Sequence, residues 1–241
     1  IDEQHQHLVD VTAKLCAVGR RILSGARASA SPSPSPAARS AAASPRGGVA
    51  NAISASAATG MSATSITSPM SLKGALMLRV WGVPRARPTM DIDVLRRGAA
   101  DRDTLAAIVR KCASTVDESD GVAFDADDMS VETIHEERGY IGTRIRVPAR
   151  LENVRQVVQI DFGVGDAIYP SPVVIEYPVL LGGTPLRLRA YPVEATIAEK
   201  FQTMVQLDLS NSRMKDFYDV WILSRALEFD GQELSKSIQL T

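Results

Sequence analysis

The feature that most constrains this chain is a break in composition just before residue 69. From Ser24 to Ser68 the sequence is dominated by Ala, Ser and Pro, including the run Ser31-Pro32-Ser33-Pro34-Ser35-Pro36. Such a segment has too few large apolar side chains to offset the entropy of ordering, so residues 24–68 read as a low-complexity, disordered linker. Folded structure is therefore expected on either side of it. Upstream, residues 1–23 carry Leu8, Val9, Val11, Leu15, Val18, Ile22 and Leu23 at nearly helical spacing, which predicts a short amphipathic helix. Downstream, residues 69–241 are long enough for one domain with its own core.

Within that domain the apolar period changes several times. Leu76 to Trp81 fits a helix after a Lys73-Gly74 turn. Asp91 to Leu95 reads as a strand entered from the turn-forming Pro84 and Pro88. Asp103 to Thr115 has Leu105, Ile108 and Val109 on one side of a helix. Ile141 to Val147 alternates as a half-buried strand does, and Val154 to Val164 is rich in β-branched residues. Val173 to Tyr177 and Leu186 to Tyr191 predict two shorter strands. Pro192 to Leu207 and Ser212 to Leu227 predict two helices, separated by the cap-forming Asn211-Ser212, and the folded region is expected to end near Leu227. Strands alternating with helices, then helices alone, imply an α/β chain of the α+β kind: a mixed sheet flanked by helices, with a helical C-terminal part.

Charge narrows the partners. The net charge is −1, yet residues 11–90 contain ten Lys or Arg and no Asp or Glu. An acid-free basic stretch attracts polyanions such as RNA, or is simply a solvated tail. Its Arg-, Ser- and Ala-rich composition also resembles an organellar transit peptide. Cys16 and Cys112 have no CxxC or Cys/His spacing, so they read as buried thiols in a reducing, cytoplasmic setting. No apolar run approaches the roughly 18 residues of a membrane span, so no membrane association is expected.

Three sets of residues carry chemistry. In Arg87-Pro88-Thr89-Met90-Asp91-Ile92-Asp93, the two acids lie two apart on a strand, so they project from one face. Paired carboxylates repel one another unless they are solvated or hold a hard cation. In Val157-Val158-Gln159-Ile160-Asp161, an acid closes an apolar strand, where it needs a partner; that partner is a metal or the amides of the Gly163 turn. A third carboxylate beside Asp91 and Asp93 is what a two-metal phosphoryl-transfer site requires. Finally, Glu199-Lys200 and Lys215-Asp216-Phe217-Tyr218-Asp219 lie on the last two predicted helices. Lys200 suits neutralisation of triphosphate charge, whereas Lys215 and Asp219 are spaced as an exposed i,i+4 pair. His5 and His7 in the polar N-terminus and the Asp125–Asp128 stretch read as solvated.

Taken in order, Leu72-Lys73-Gly74, Arg87 to Asp93, Ile160-Asp161, Glu199-Lys200 and Lys215 to Asp219 resemble the AbiEii/AbiGii family of nucleotidyltransferase-like toxins over residues 70–227. The resemblance implies the nucleotidyltransferase fold and Mg²⁺-dependent transfer of a nucleotide from an NTP, with two metal ions. RNA, in particular tRNA, is the implied acceptor, and an antitoxin the implied protein partner. It further implies that Asp91 and Asp93 hold metal with Asp161 completing the set, and that Asp216 belongs to the active site. Lys73, Gly74, Ala75, Arg87 and Lys200 are the implied nucleotide-binding residues. One departure stands out: the family usually continues from Lys-Gly with a second glycine and a hydroxyl residue, and here Ala75 and Leu76 follow. An altered turn of this kind also fits a degenerate, non-catalytic nucleotide- or protein-binding module on the same fold.

Overall fold

Two long strands, β5 (Ile141–Leu151) and β6 (Val154–Val164), organise the domain. They pair antiparallel along their whole length, joined by a tight turn in which Glu152 takes a left-handed φ of 52°. The computed structural model describes residues 70–87, 89, 91–98, 101–114, 122–135, 141–165, 168–177 and 185–241. The helix expected at residues 8–23, the 24–68 segment, His5 and His7 lie outside the described residues.

Among the described residues eight strands form one mixed sheet: β1 (Met70–Lys73), β2 (Asp91–Arg96), β3 (Val122–Phe124), β4 (Ser130–His135), β5, β6, β7 (Val173–Tyr177) and β8 (Leu186–Ala190). Their order is β3-β5-β6-β2-β1-β8-β7, with β4 also on β5. β2 runs parallel to β6 and β1 parallel to β8, while the other pairs are antiparallel. Five helices accompany them among the described residues: α1 (Leu76–Val80), α2 (Arg102–Ala113), α3 (Val193–Leu207), α4 (Met214–Ala226) and α5 (Gly231–Leu240). A 3₁₀ turn at Asp208–Ser210 separates α3 from α4.

The two faces of the sheet differ because side chains alternate along each strand. Leu72, Ile92, Val94, Ile145, Val147, Val158, Ile160 and Phe162 are all nearly inaccessible, and they form one core with Leu105, Ile108 and Val109 of α2 and Leu76 and Met77 of α1. Each such burial contributes about 1.5–3 kcal/mol. On the opposite face the described residues cover only part of the sheet: Leu95, Ile168 and Tyr191 pack with Ala195 of α3. A third cluster joins Ala75 and Leu78 to Ile197, Ile222 and Leu223, fastening α1 to α3 and α4. Asp101 caps α2, accepting from the Thr104 amide at 2.7 Å, and Asp230 caps α5 through the Gln232 and Glu233 amides. The fold thus continues through α5, beyond the end expected near Leu227.

Candidate functional site

The sheet register builds the site. Lys73 on β1 stands opposite Asp93 on β2, Asp93 opposite Asp161 on β6, and Asp161 opposite Arg144 on β5. Directly opposed residues share a face, so these four side chains form one row across four strands. Asp91, two residues before Asp93, joins the same face opposite Gln159. The three aspartates singled out in the sequence are thereby brought together, although Asp93 and Asp161 are far apart in the chain.

Each member of the row has a distinct setting. Arg144 grips Asp161 with two hydrogen bonds, Nε to Oδ1 at 2.8 Å and Nη2 to Oδ2 at 2.7 Å, and Gln159 Nε2 adds a third at 3.2 Å. The Asp161 carboxylate in turn raises the Arg144 guanidinium above its usual range. Among the described residues Asp93 has no such partner. Burial pushes its carboxyl up to about 6; Lys73 opposes that shift, the charges of Asp161 and Asp91 add to it, and Lys215 opposes it. Lys73 is steadied from behind by Glu199 of α3, at 3.4 Å, and lies 5.8 Å from the centre of the Tyr191 ring; the Tyr191 hydroxyl donates to the same Glu199 at 3.0 Å.

Gly74 makes the row possible. Its φ is +76°, a left-handed value that favours glycine, and a Cβ there would lie 2.0 Å from Asp93 Oδ2. Ala75 follows with an ordinary φ of −71°, and Leu76 is buried in the main core. The position where the resemblance leads one to look for a hydroxyl is therefore a packing position in this chain.

Lys200, Arg87, Asp216 and Asp219 assemble into a second, buried charge cluster. Lys200 Nζ lies 3.0 Å from Asp216 Oδ1 and 2.8 Å from Asp219 Oδ2. Arg87 holds Asp219 by two hydrogen bonds of 2.8 Å, and Arg213 Nε lies 3.0 Å from Asp216 Oδ2. Asp219 is wholly inaccessible and Asp216 nearly so. This corrects the expectation of an exposed Lys215–Asp219 pair: Asp219 faces inward one turn after Asp216, because Arg87 and Lys200 meet there. Lys215 is exposed, and its charge acts on Asp93.

Cation binding can be tested against these residues. Asp91 and Asp93 fit a divalent ion: they share a face, burial and then the charges of Asp161 and Asp91 disfavour the Asp93 carboxylate, and a cation would offset both. Asp161 has both oxygens engaged by Arg144, and among the described residues no group of three His, Cys, Asp or Glu is assembled to hold a metal. The residues that the sequence leaves unmarked are Arg144 and Tyr191, and the role it misses is the buried one of Asp219. For Asp219 a signal exists, since it falls three residues after Asp216 on one helix face. Among the described residues, no helix is long and apolar enough to cross a membrane.

Comparisons with known proteins agree with this architecture. The crystal structure of JHP933 from Helicobacter pylori superposes with a TM-score of 0.50 at 18% identity, covering 70% of this chain and 65% of that one. This chain thus spans just under two thirds of that relative, and at such identity the likeness bears on fold alone. An antigenic nucleotidyltransferase-like protein from Paracoccidioides brasiliensis gives a TM-score of 0.40 at 13% identity, over 71% of this chain and 78% of its own. A search of curated proteins finds no match. The family model described as "Nucleotidyl transferase AbiEii toxin, Type IV TA system" matches residues 58–241, well over half the sequence. With the carboxylate row and the mixed sheet in place, the chain belongs to the AbiEii family of nucleotidyl transferase toxins.

Proposed function

We propose that this chain transfers a nucleotide from an NTP to a hydroxyl of an RNA acceptor, tRNA being the favoured class, as the toxin of a pair with an antitoxin protein. The single observation that carries this reading is the row Lys73–Asp93–Asp161–Arg144 with Asp91 beside it, on a sheet face that α3 leaves partly open. The acceptor oxygen attacks the α-phosphorus, the bond from that phosphorus to the β-phosphate bridging oxygen breaks, and pyrophosphate departs. The proton leaves the acceptor hydroxyl toward the carboxylate row.

Asp91 and Asp93 would hold Mg²⁺, with Asp161 beside them. When bound, the ion supplies positive charge to the triphosphate and lowers the acceptor hydroxyl pKa. Arg144 fixes the plane of the Asp161 carboxylate by holding both of its oxygens. Lys73, the Gly74-Ala75 backbone and Lys215 meet phosphate oxygens. Lys200, Arg87 and Asp216 act behind them, holding the start of α4 against the row.

A second reading, a non-catalytic nucleotide- or protein-binding module, is favoured by one observation: Leu76 is core, so no hydroxyl follows the Gly74 turn. The two readings separate when purified protein is incubated with Mg²⁺, each α-³²P-labelled NTP and total RNA, with Asp93→Ala in parallel. Label on RNA from wild type and none from the variant supports transfer. Mg²⁺-dependent thermal stabilisation by an NTP with no label on any RNA supports the binding module instead.

A further inference from the structure

The face that carries the catalytic row does not end at Arg144 and Asp161. Following the β5–β6 register outward, Arg146 stands opposite Gln159, Pro148 opposite Val157, and Arg150 opposite Arg155. All six lie on the row's face, because the alternating residues Ile145, Val147, Ala149, Val158 and Ile160 point into the core. Arg150 and Arg155 are exposed, and Val157 is 46% exposed, so among the described residues no helix covers this part of the sheet.

The charges on this face are unevenly matched. Arg144 is taken up by Asp161, and Arg146 by Glu132 and Gln159. Arg150 and Arg155 have no ion pair among the described residues, and they face each other directly across the hairpin. Like charges in that position destabilise a strand pair, so the sequence tolerates repulsion where an anion would remove it. Asp125, at the end of β3, accepts the Asp128 amide, at 3.2 Å.

We propose that the exposed face of the β5–β6 hairpin, with Arg146, Arg150 and Arg155 in line with Asp161, is the track on which the phosphodiester backbone of the RNA acceptor lies. The inference rests on the reading of the carboxylate row as a nucleotidyl-transfer site and adds where the acceptor runs. From Asp161 to Arg155 the strand extends about 20 Å at ~3.3 Å per residue. That is room for roughly six stacked nucleotides at about 3.4 Å each. A linear polyanion whose end must reach the row needs cations spaced along one line from it, and the register supplies that line. Pro148 and Val157 give the sugar edges an apolar surface between the charges. An acidic protein would need no such alignment with the carboxylates.

The test measures binding of a labelled 12-nucleotide single-stranded RNA to the full chain across 50–200 mM salt, comparing wild type with the double variant Arg150→Gln, Arg155→Gln. Loss of two phosphate contacts should make the log–log salt slope shallower by about 1.4, so that the affinity ratio shrinks about 7-fold over this range. Because the substitutions remove a repulsion, the melting temperature should stay level or rise, which separates lost binding from misfolding. Unchanged affinity and slope would overturn the track. So would competition by polyglutamate as effective as that by unlabelled RNA, which would point to an acidic protein partner. Mg²⁺-dependent stabilisation by NTP, followed in both proteins, reports on the nucleotidyl-transfer reading separately. If it persists while RNA binding ignores the arginines, only the track fails. If it is absent while the arginines govern RNA binding, only the catalytic reading fails.

Discussion

Gly74→Ala probes the arrangement of the site more sharply than removal of any charged residue. A methyl group at this position would stand 2.0 Å from Asp93 Oδ2, 2.8 Å from its Cγ and 2.9 Å from its Cβ. The backbone φ of +76° adds a separate penalty, since the left-handed region costs a residue with a Cβ about 1–2 kcal/mol. The contact can be relieved only if the Asp93 side chain leaves the row or β1 and β2 move apart, and misfit of this size costs about 1–3 kcal/mol. The expected destabilisation is therefore about 2–5 kcal/mol. In an Asp93→Ala background the carboxylate atoms are gone and only the 2.9 Å Cβ contact persists. There Gly74→Ala should cost the backbone term and the smaller misfit of the 2.9 Å contact, giving a coupling of about 1–2 kcal/mol between the two positions. Urea denaturation of wild type, both single variants and the double variant, at neutral pH with chelator present, measures that coupling. A value within about 0.5 kcal/mol of zero would refute the placement of the Asp93 carboxylate against Gly74.

Three further outcomes follow from the electrostatics. Asp219→Ala leaves Arg87 and Lys200 without the carboxylate they share in a buried place, and should destabilise by about 3–5 kcal/mol in the same denaturation assay. Lys215→Ala, at an exposed position, should change stability by less than about 0.5 kcal/mol yet weaken Mg²⁺-dependent thermal stabilisation by NTP. For Asp93 the folded carboxyl is raised from 3.8 to about 6, so the folded state holds that proton more tightly than the unfolded chain. Its contribution is full below pH 3.8 and is lost as pH rises through 6. In chelator the stability advantage of Asp93→Asn over wild type should therefore grow across that window and level off above it, as read from melting temperatures between pH 4 and 7.5.

Much of the sheet was legible because its long strands obey simple patterns. β6 and β7 match the expected spans, and β2, α2, α3 and α4 differ only at their ends. β5 runs on past Val147 because Pro148, which reads as a strand breaker, needs only its carbonyl here: it accepts the Asp125 amide at 2.8 Å. β1, β3 and β4 escaped notice for a different reason. At four, three and six residues, and with polar residues at Ser71, Ser130 and Glu132, they are held by pairing with long neighbours and not by their own pattern. α5 has few apolar residues, Leu234 and Ile238 four apart and Leu240 at its end, and is held by Leu234 against the α1–α3–α4 cluster, by the Asp230 cap and by Ser237, whose hydroxyl donates to the Tyr169 carbonyl at 2.6 Å.

The site was legible in its residues and illegible in its pairings. Spacing two apart places Asp91 and Asp93 on one face, but the register that sets Asp93 against Asp161 is a parallel, long-range pairing that no local pattern encodes. The same holds for Asp219, whose burial depends on where Arg87 arrives from another part of the chain.

These pairings divide the basic residues into two groups, and that division orders the expected phenotypes. Lys200, Arg87 and Arg144 are each bound to a buried or half-buried carboxylate. A cation so committed contributes little new attraction to an incoming phosphate, because the ligand must compete with an acid already desolvated beside it. Its loss should appear first in stability and in the placing of α4 over the row. Lys215, Arg150 and Arg155 are exposed and are not committed in this way, so their loss should leave the fold intact and act on anions alone. The sequence, with its family resemblance, assigns phosphate contact to Lys200 and Arg87; the geometry favours transferring it to Lys215 for the nucleotide and to the arginines of the β5–β6 hairpin for the acceptor. Urea denaturation and NTP stabilisation, measured side by side on Lys200→Ala and Lys215→Ala, set that division against the alternative. If Lys200→Ala kept full stability and lost only NTP binding, the assignment from the sequence would stand and the division would fall.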